Sequence, residues 1–133
     1  MYIFLNYLKI KVIKNNTSSH LIRIREHLIE LTTPKIMGIL NLTENSFYDG
    51  GKYNSIKSAI LQTKKMIDEG AFFIDIGVAS SKPGSNIISP KDEIKILAPY
   101  LKHILKEFPN TFFSIDTYNS QVAKMSLDLG VSM

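Results

Sequence analysis

Cysteine is absent from the 133-residue chain, which rules out a disulfide framework, a thiolate metal site and a cysteine nucleophile. A bound metal must therefore use oxygen or imidazole ligands. No apolar run is long enough to span a membrane. The opening Met1-Tyr-Ile-Phe-Leu-Asn-Tyr-Leu8 is short, lacks a basic segment before it and is followed by Lys9, Lys11 and Lys14, which fits neither a transmembrane helix nor a signal peptide. The expectation is a cytoplasmic protein with no membrane partner.

Low-complexity tracts and linkers are missing as well. With 44% hydrophobic and 21% charged residues, the chain has the makeup of one globular domain. The net charge of +4 comes from lysines spread along helical faces, with no basic run interleaved with aromatics, so a nucleic-acid partner is not expected. Basic character does suit a small anionic substrate. His20, His27 and His103 lack metal-ligand spacing and read as surface or hairpin positions.

What is present is an alternation of short apolar runs with longer segments of helical spacing, beginning at Lys35. Such alternation implies crossover units and a parallel sheet. The strands read as Ile36-Met-Gly-Ile-Leu-Asn41, Phe72-Phe-Ile-Asp-Ile76 and Thr111-Phe-Phe-Ser-Ile115, a repeat of roughly 35 to 40 residues, one βα unit with its loops. Between the first two strands, the pattern predicts a helix capped by Ser55 and ended by Gly70. The next helix starts at Ser89-Pro90, with Asp92 and Glu93 complementing its positive end, and runs to about Glu107, with Pro99 as a potential kink. A third, capped by Asn119 or Ser120, reaches Leu129 before Gly130, and Val131-Ser-Met133 reads as the start of a fourth strand.

Residues 1–34 break this rhythm and form an N-terminal extension. The alternation from His20 to Leu31, around a turn at Arg25 to His27, predicts a β-hairpin that plugs one end of a barrel. Residues 35–133 form the barrel portion. The fold class is thus α/β, the N-terminal half of a (β/α)8 TIM barrel preceded by a hairpin. A closed barrel needs on the order of 250 residues, and about three and a half units are present.

In such folds the groups at the C-terminal strand ends share one rim. Here these are Asn41, Asp75 with Gly77, and Asp116. A buried amide such as Asn41 is costly unless something satisfies it. The loop from Asn41 to Gly51 is polar and glycine-terminated, suited to presenting an amide oxygen to a metal or diphosphate, although Asp49-Gly50-Gly51 equally suits a plain turn. The loop Gly77-Val-Ala-Ser-Ser-Lys-Pro-Gly84 combines small residues, hydroxyls and a cation, a workable diphosphate cradle of a common composition. Asp75, inside an apolar run, must pair or hydrogen-bond, as a strand-end cap or in a metal's outer shell. Asp116 suits either paired hydrogen bonds to a heterocycle with an amino group beside a ring N–H, or N-capping of the next helix.

Together these segments resemble dihydropteroate synthase, over roughly Leu28 to Met133. The stretch Met37-Gly-Ile-Leu-Asn-Leu-Thr-Glu-Asn-Ser-Phe-Tyr-Asp-Gly-Gly51 is similar to the family's M-G-I-x-N-x-T-P-D-S-F-S-D-G-G signature. Asp75-Ile-Gly77 with Ser80-Ser-Lys-Pro-Gly84 resembles its D-I-G-G-E-S-T-R-P-G loop, and Ser114-Ile-Asp-Thr117 its S-I-D-T. The resemblance implies condensation of 6-hydroxymethyl-7,8-dihydropterin diphosphate with p-aminobenzoate, giving dihydropteroate and diphosphate in folate biosynthesis with Mg²⁺ as cofactor. Asn41 would bind the metal and diphosphate, and Asp116 the pterin. Ser81 and Lys82 stand where the family's Thr-Arg contacts the diphosphate and shapes the p-aminobenzoate site, with Asn41 and Lys82 as catalytic groups and Asp75 among the substrate-binding ones.

The departures are Glu44-Asn45 for Pro-Asp, Val78-Ala79 for Gly-Glu and Lys82 for Arg; lysine keeps the charge and loses the bidentate fork. The family's later-strand groups, a second pterin-binding Asp, a Lys over the ring and an Arg-x-His pair, have no counterpart. The expectation is therefore a synthase portion inactive as this chain alone. The alternatives are a non-catalytic half-barrel that self-associates as a homo-oligomer, since open strand edges and apolar faces invite it, and a portion of another pterin-binding barrel such as a methyltetrahydrofolate-dependent methyltransferase. The Ser46-Phe-Tyr-Asp-Gly-Gly51 loop favours the synthase.

Overall fold

Apolar residues concentrate in three short runs, and each run forms a parallel strand, the two later ones largely buried and the first open along one edge. A computed structural model describes residues 20–42, 52–78 and 88–133. The elements are β1 (Leu21–Ile24), β2 (His27–Glu30), β3 (Ile36–Asn41), α1 (Lys52–Asp68), β4 (Ala71–Gly77), α2 (Pro90–Glu107), β5 (Phe112–Asp116) and α3 (Ser120–Leu129). β3, β4 and β5 form a parallel sheet in that order, the α/β arrangement that the alternation predicts.

One face of the sheet belongs to the helices. Leu40, Ile74, Ile76 and Phe113 are buried there with Ala59 of α1, Leu97, Leu101 and Ile104 of α2, and Val122 of α3. Burying each large aliphatic or aromatic side chain contributes roughly 1.5 to 3 kcal/mol, and this layer is the main core. Gly38 is small where α1 packs on the sheet: a Cβ there would stand 2.8 Å from Met66 Sδ and 3.0 Å from Ile74 Cδ1, so a larger residue would have to displace those side-chain ends.

The caps follow the local chemistry. Ser89 Oγ accepts the Asp92 N–H at 3.2 Å at the start of α2, and Pro90 takes the first helical position, where its missing N–H costs nothing. Pro99 sits within a helix that continues to Glu107. Gly70 and Gly130 end α1 and α3 at φ 100 and 116, the left-handed conformation that glycine adopts without steric cost. α1 begins at Lys52, so Ser55 lies in its first turn and is not its cap. A cap residue only biases a helix start, and nothing at 52–54 is a proline that would stop the helix from reaching further back.

The hairpin is present, with Leu21 paired to Glu30 and Ile24 to His27. Its turn is confined to Arg25 and Glu26, so His27 belongs to β2; Arg25 adopts φ 54, which suits a tight two-residue connection. Ile24 and Ile29 pack with Phe73, and Met37, Phe72 and Phe112 lie against that cluster. The hairpin therefore covers the N-terminal ends of the parallel strands.

The last residues, which the alternation reads as the start of a fourth strand, run beside β5 and hydrogen-bond to it without forming a strand of their own, so the sheet keeps three strands among the described residues. Met133 N–H donates to the Phe113 carbonyl at 3.2 Å, and Ile115 N–H donates to the Met133 carbonyl at 3.1 Å. Those two bonds are the parallel ladder pattern around Ser114. Arg25 reaches from the hairpin tip to donate to the Val131 carbonyl at 2.6 Å.

Candidate active site

Side chains alternate along a strand, so one parity of β3, β4 and β5 faces the helices and the other faces away from them. Register divides the second face into three rungs. The first is Met37, Phe73 and Phe112, the next Ile39, Asp75 and Ser114, and the last Asn41, Gly77 and Asp116. The face thus grades from apolar, under the hairpin, to polar at the C-terminal strand ends. His27 sits at the apolar end, edge-on to Phe112 at 5.3 Å between ring centroids, while His20 and His103 are exposed. None of the three belongs to the polar rung.

The last rung holds two of the expected site residues side by side. Asn41 is exposed and not the buried amide that its place at the end of an apolar run suggests, because β3 is open along one edge; Asp116 is exposed too, and Gly77 between them is buried. A Cβ placed on Gly77 would lie 3.7 Å from Asp116 Oδ2 and 3.8 Å from Asn41 Oδ1. The absence of that carbon leaves a notch flanked by an amide oxygen and a carboxylate oxygen. The N-capping alternative for Asp116 fails, because the cap position of α3 is taken by Asn119.

Asp75 stands one rung deeper and half-buried, and Ser114 Oγ donates to its Oδ1 at 2.5 Å. The partner that an acid in an apolar run requires is thus supplied by the neighbouring strand. Among the described residues, neither Asp75 nor Asp116 has a cationic partner. Ser81 and Lys82, like the rest of 43–51 and 79–87, lie outside the described residues.

Among the described residues no group of three or more His, Cys, Asp or Glu side chains could enclose a metal. Magnesium seldom uses such a cage. It keeps several waters and takes one or two protein oxygens together with substrate phosphates, and the Asn41 amide oxygen at an open rim fits that mode.

The family model for pterin binding enzymes matches residues 37–133, beginning within β3 and including every rung residue of this face. The chain belongs to the pterin-binding enzyme family. Dihydropteroate synthase of Staphylococcus haemolyticus is 45% identical over 103 residues, 77% of this chain and 38% of the relative. The chain thus spans less than half the length of this relative. Among solved structures, dihydropteroate synthase of Anaplasma phagocytophilum with bound 6-hydroxymethylpterin-monophosphate superimposes with TM-score 0.65 at 40% identity, covering 71% of this chain and 37% of that one. The Xanthomonas albilineans enzyme with 4-aminobenzoic acid gives TM-score 0.77 at 27% identity, over 86% of this chain and 42% of its own. These pterin-binding relatives place β3, β4 and β5 in the N-terminal portion of a (β/α) barrel.

Sequence reading alone sets Gly77 on the rim and Ser114 in a strand-end motif without showing which residue each meets. The signal that finds both is the parallel register, which puts each on the same rung as an expected site residue.

Proposed function

We propose that this chain is the N-terminal portion of a dihydropteroate synthase, which condenses 6-hydroxymethyl-7,8-dihydropterin diphosphate with p-aminobenzoate to give dihydropteroate and diphosphate. The observation that carries this reading is the rung Asn41, Gly77, Asp116 at the polar end of the sheet, within the stretch matched by the pterin-binding family. The chain spans less than half of the first relatives' length, so turnover is assigned to a complete barrel that contains it and not to these 133 residues alone.

In this reading the Asp116 carboxylate accepts paired hydrogen bonds from the pterin's amino group and ring N–H, which fixes the ring at the notch. Asn41 Oδ1 faces the diphosphate and would be a ligand of Mg²⁺. Bound there, the metal would offset negative charge on the leaving diphosphate. Ser81 and Lys82 hold the diphosphate from the second loop and shape the p-aminobenzoate site. Asp75, pinned by Ser114, lines the floor below. The amine nitrogen of p-aminobenzoate attacks the pterin's exocyclic CH₂, the C–N bond forms as the C–O bond breaks, the pair leaves with the diphosphate, and the amine loses a proton.

Two further expectations belong to the same reading. The protein works in the cytoplasm; among the described residues no helix is long and apolar enough to cross a membrane. It also associates with a second copy of itself, since β3 is hydrogen-bonded on one side only among the described residues and Ile36 and Ile39 are 42% and 39% exposed.

Titration of the chain with 6-hydroxymethylpterin, followed by pterin fluorescence, tests the assignment. Binding should weaken on Asp116→Ala by roughly a hundredfold or more, the scale of two lost charge-assisted hydrogen bonds. Equal affinity in both proteins removes Asp116 from the site.

A further inference from the structure

Glu93 is 1% exposed, and among the described residues no cation pairs with it. It lies in the first turn of α2, where the positive helix end favours a carboxylate. A buried carboxylate serving cohesion alone would be outdone by an apolar residue of similar volume, and Leu97, Leu101 and Ile104 fill the rest of the buried face of the same helix. What Glu93 does is reach out of α2. Its Oε2 accepts a hydrogen bond from Asn119 Nδ2 at 2.6 Å.

Asn119 occupies the cap position of α3, yet its side chain makes no capping bond, because its amide is turned to Glu93. Its backbone N–H is taken by Thr117 Oγ1 at 3.1 Å, and its carbonyl accepts the Ala123 N–H at 3.0 Å. The connection 117–119 is therefore tied to α2 through a side chain and to itself and α3 through the backbone. Asp116 immediately precedes it and is exposed, so it has little packing of its own. Its place depends on where β5 ends and on how that connection is anchored.

We propose that Glu93 is a positioning residue for Asp116, acting through Asn119 to hold the β5–α3 connection against α2. Its functional meaning rests on the reading of Asp116 as the pterin acceptor, while the anchoring itself does not. The same bond ties together the N-terminal ends of the helices that follow β4 and β5, so the relation between the second and third strand ends is fixed from behind the sheet.

Amide hydrogen exchange by NMR on the 133-residue chain tests this, with Glu93→Ala, Glu93→Gln and Asn119→Ala compared with the unaltered chain. Glutamine keeps an oxygen that can accept from Asn119, and alanine does not. The expected result is exchange at Thr117 to Asn119 about tenfold faster in both alanine variants, with Phe113 and Ile115 changed less than about twofold and Glu93→Gln restored to within about threefold. Affinity for 6-hydroxymethylpterin should follow the same order. A rise spread evenly along the chain, no rise at Thr117 to Asn119, or a glutamine variant no better than alanine overturns the proposal. Should Glu93→Ala fail to fold, Asn119→Ala against Glu93→Gln decides it. A chain that never binds the pterin sinks the reading of Asp116, while the exchange rates still decide the role of Glu93.

Discussion

Ser114 on β5 donates its hydroxyl to the carboxylate of Asp75 on β4 at 2.5 Å, with the two residues directly paired in the parallel register. A hydroxyl beside a half-buried acid satisfies an oxygen that water reaches poorly. Ser114→Ala should therefore destabilise the chain by about 1.5 to 3 kcal/mol, as for hydrogen bonds to charged groups. Urea unfolding checks this, and an unchanged midpoint would show that Asp75 finds another partner.

The two strand glycines should respond oppositely to alanine. At Gly38 the new Cβ would meet Met66 Sδ at 2.8 Å, an overpacking that costs about 1 to 3 kcal/mol. At Gly77 the nearest atom would be Asp116 Cβ at 3.5 Å, an ordinary contact, so Gly77→Ala should fold with stability within about 1 kcal/mol of the parent. It should nonetheless weaken 6-hydroxymethylpterin binding by filling the notch. Thermal unfolding and the fluorescence titration separate the two effects. Undiminished affinity in Gly77→Ala would mean that the notch is not where the ring sits.

Arg25 ties the hairpin tip to the end of α3, donating to the carbonyls of Val131 at 2.6 Å and Leu127 at 3.4 Å. Helix C-terminal carbonyls favour a cation. Arg25→Ala should cost about 0.5 to 1.5 kcal/mol and speed amide exchange at Ser132 and Met133, the residues bonded to Phe113. Unaltered exchange there would show that the ladder to β5 holds them without the arginine.

In a complete barrel containing this chain, Asn41→Ala should depress turnover by roughly tenfold to a hundredfold, the scale found when a group that supports a catalytic metal is removed, with little change in thermal stability because Asn41 is exposed. Steady-state assay of diphosphate release measures it. A rate equal to the parent's takes Asn41 out of the mechanism.

For the chain as it stands, sedimentation at several concentrations should show a dimer or larger species, because exposed Ile36 and Ile39 line an unpaired strand edge. A monomer at every concentration contradicts self-association.

The strands, the starts of α2 and α3 and the hairpin were legible in the sequence because each rests on local chemistry. Ser89-Pro90 starts a helix, Gly70 and Gly130 end one, and an apolar run of five or six residues forms a strand of the parallel sheet. Asn41, Asp75 and Asp116 were legible as candidates for the same reason, being polar groups at the ends of such runs. The start of α1 was misread because a capping serine is only a weak bias against further helix. What the tertiary structure alone decided is which of these groups meet. A parallel register is set by contacts between strands more than thirty residues apart, so no local pattern could show that Asp75 faces Ser114, that Gly77 opens a notch between Asn41 and Asp116, or that buried Glu93 accepts a hydrogen bond from Asn119.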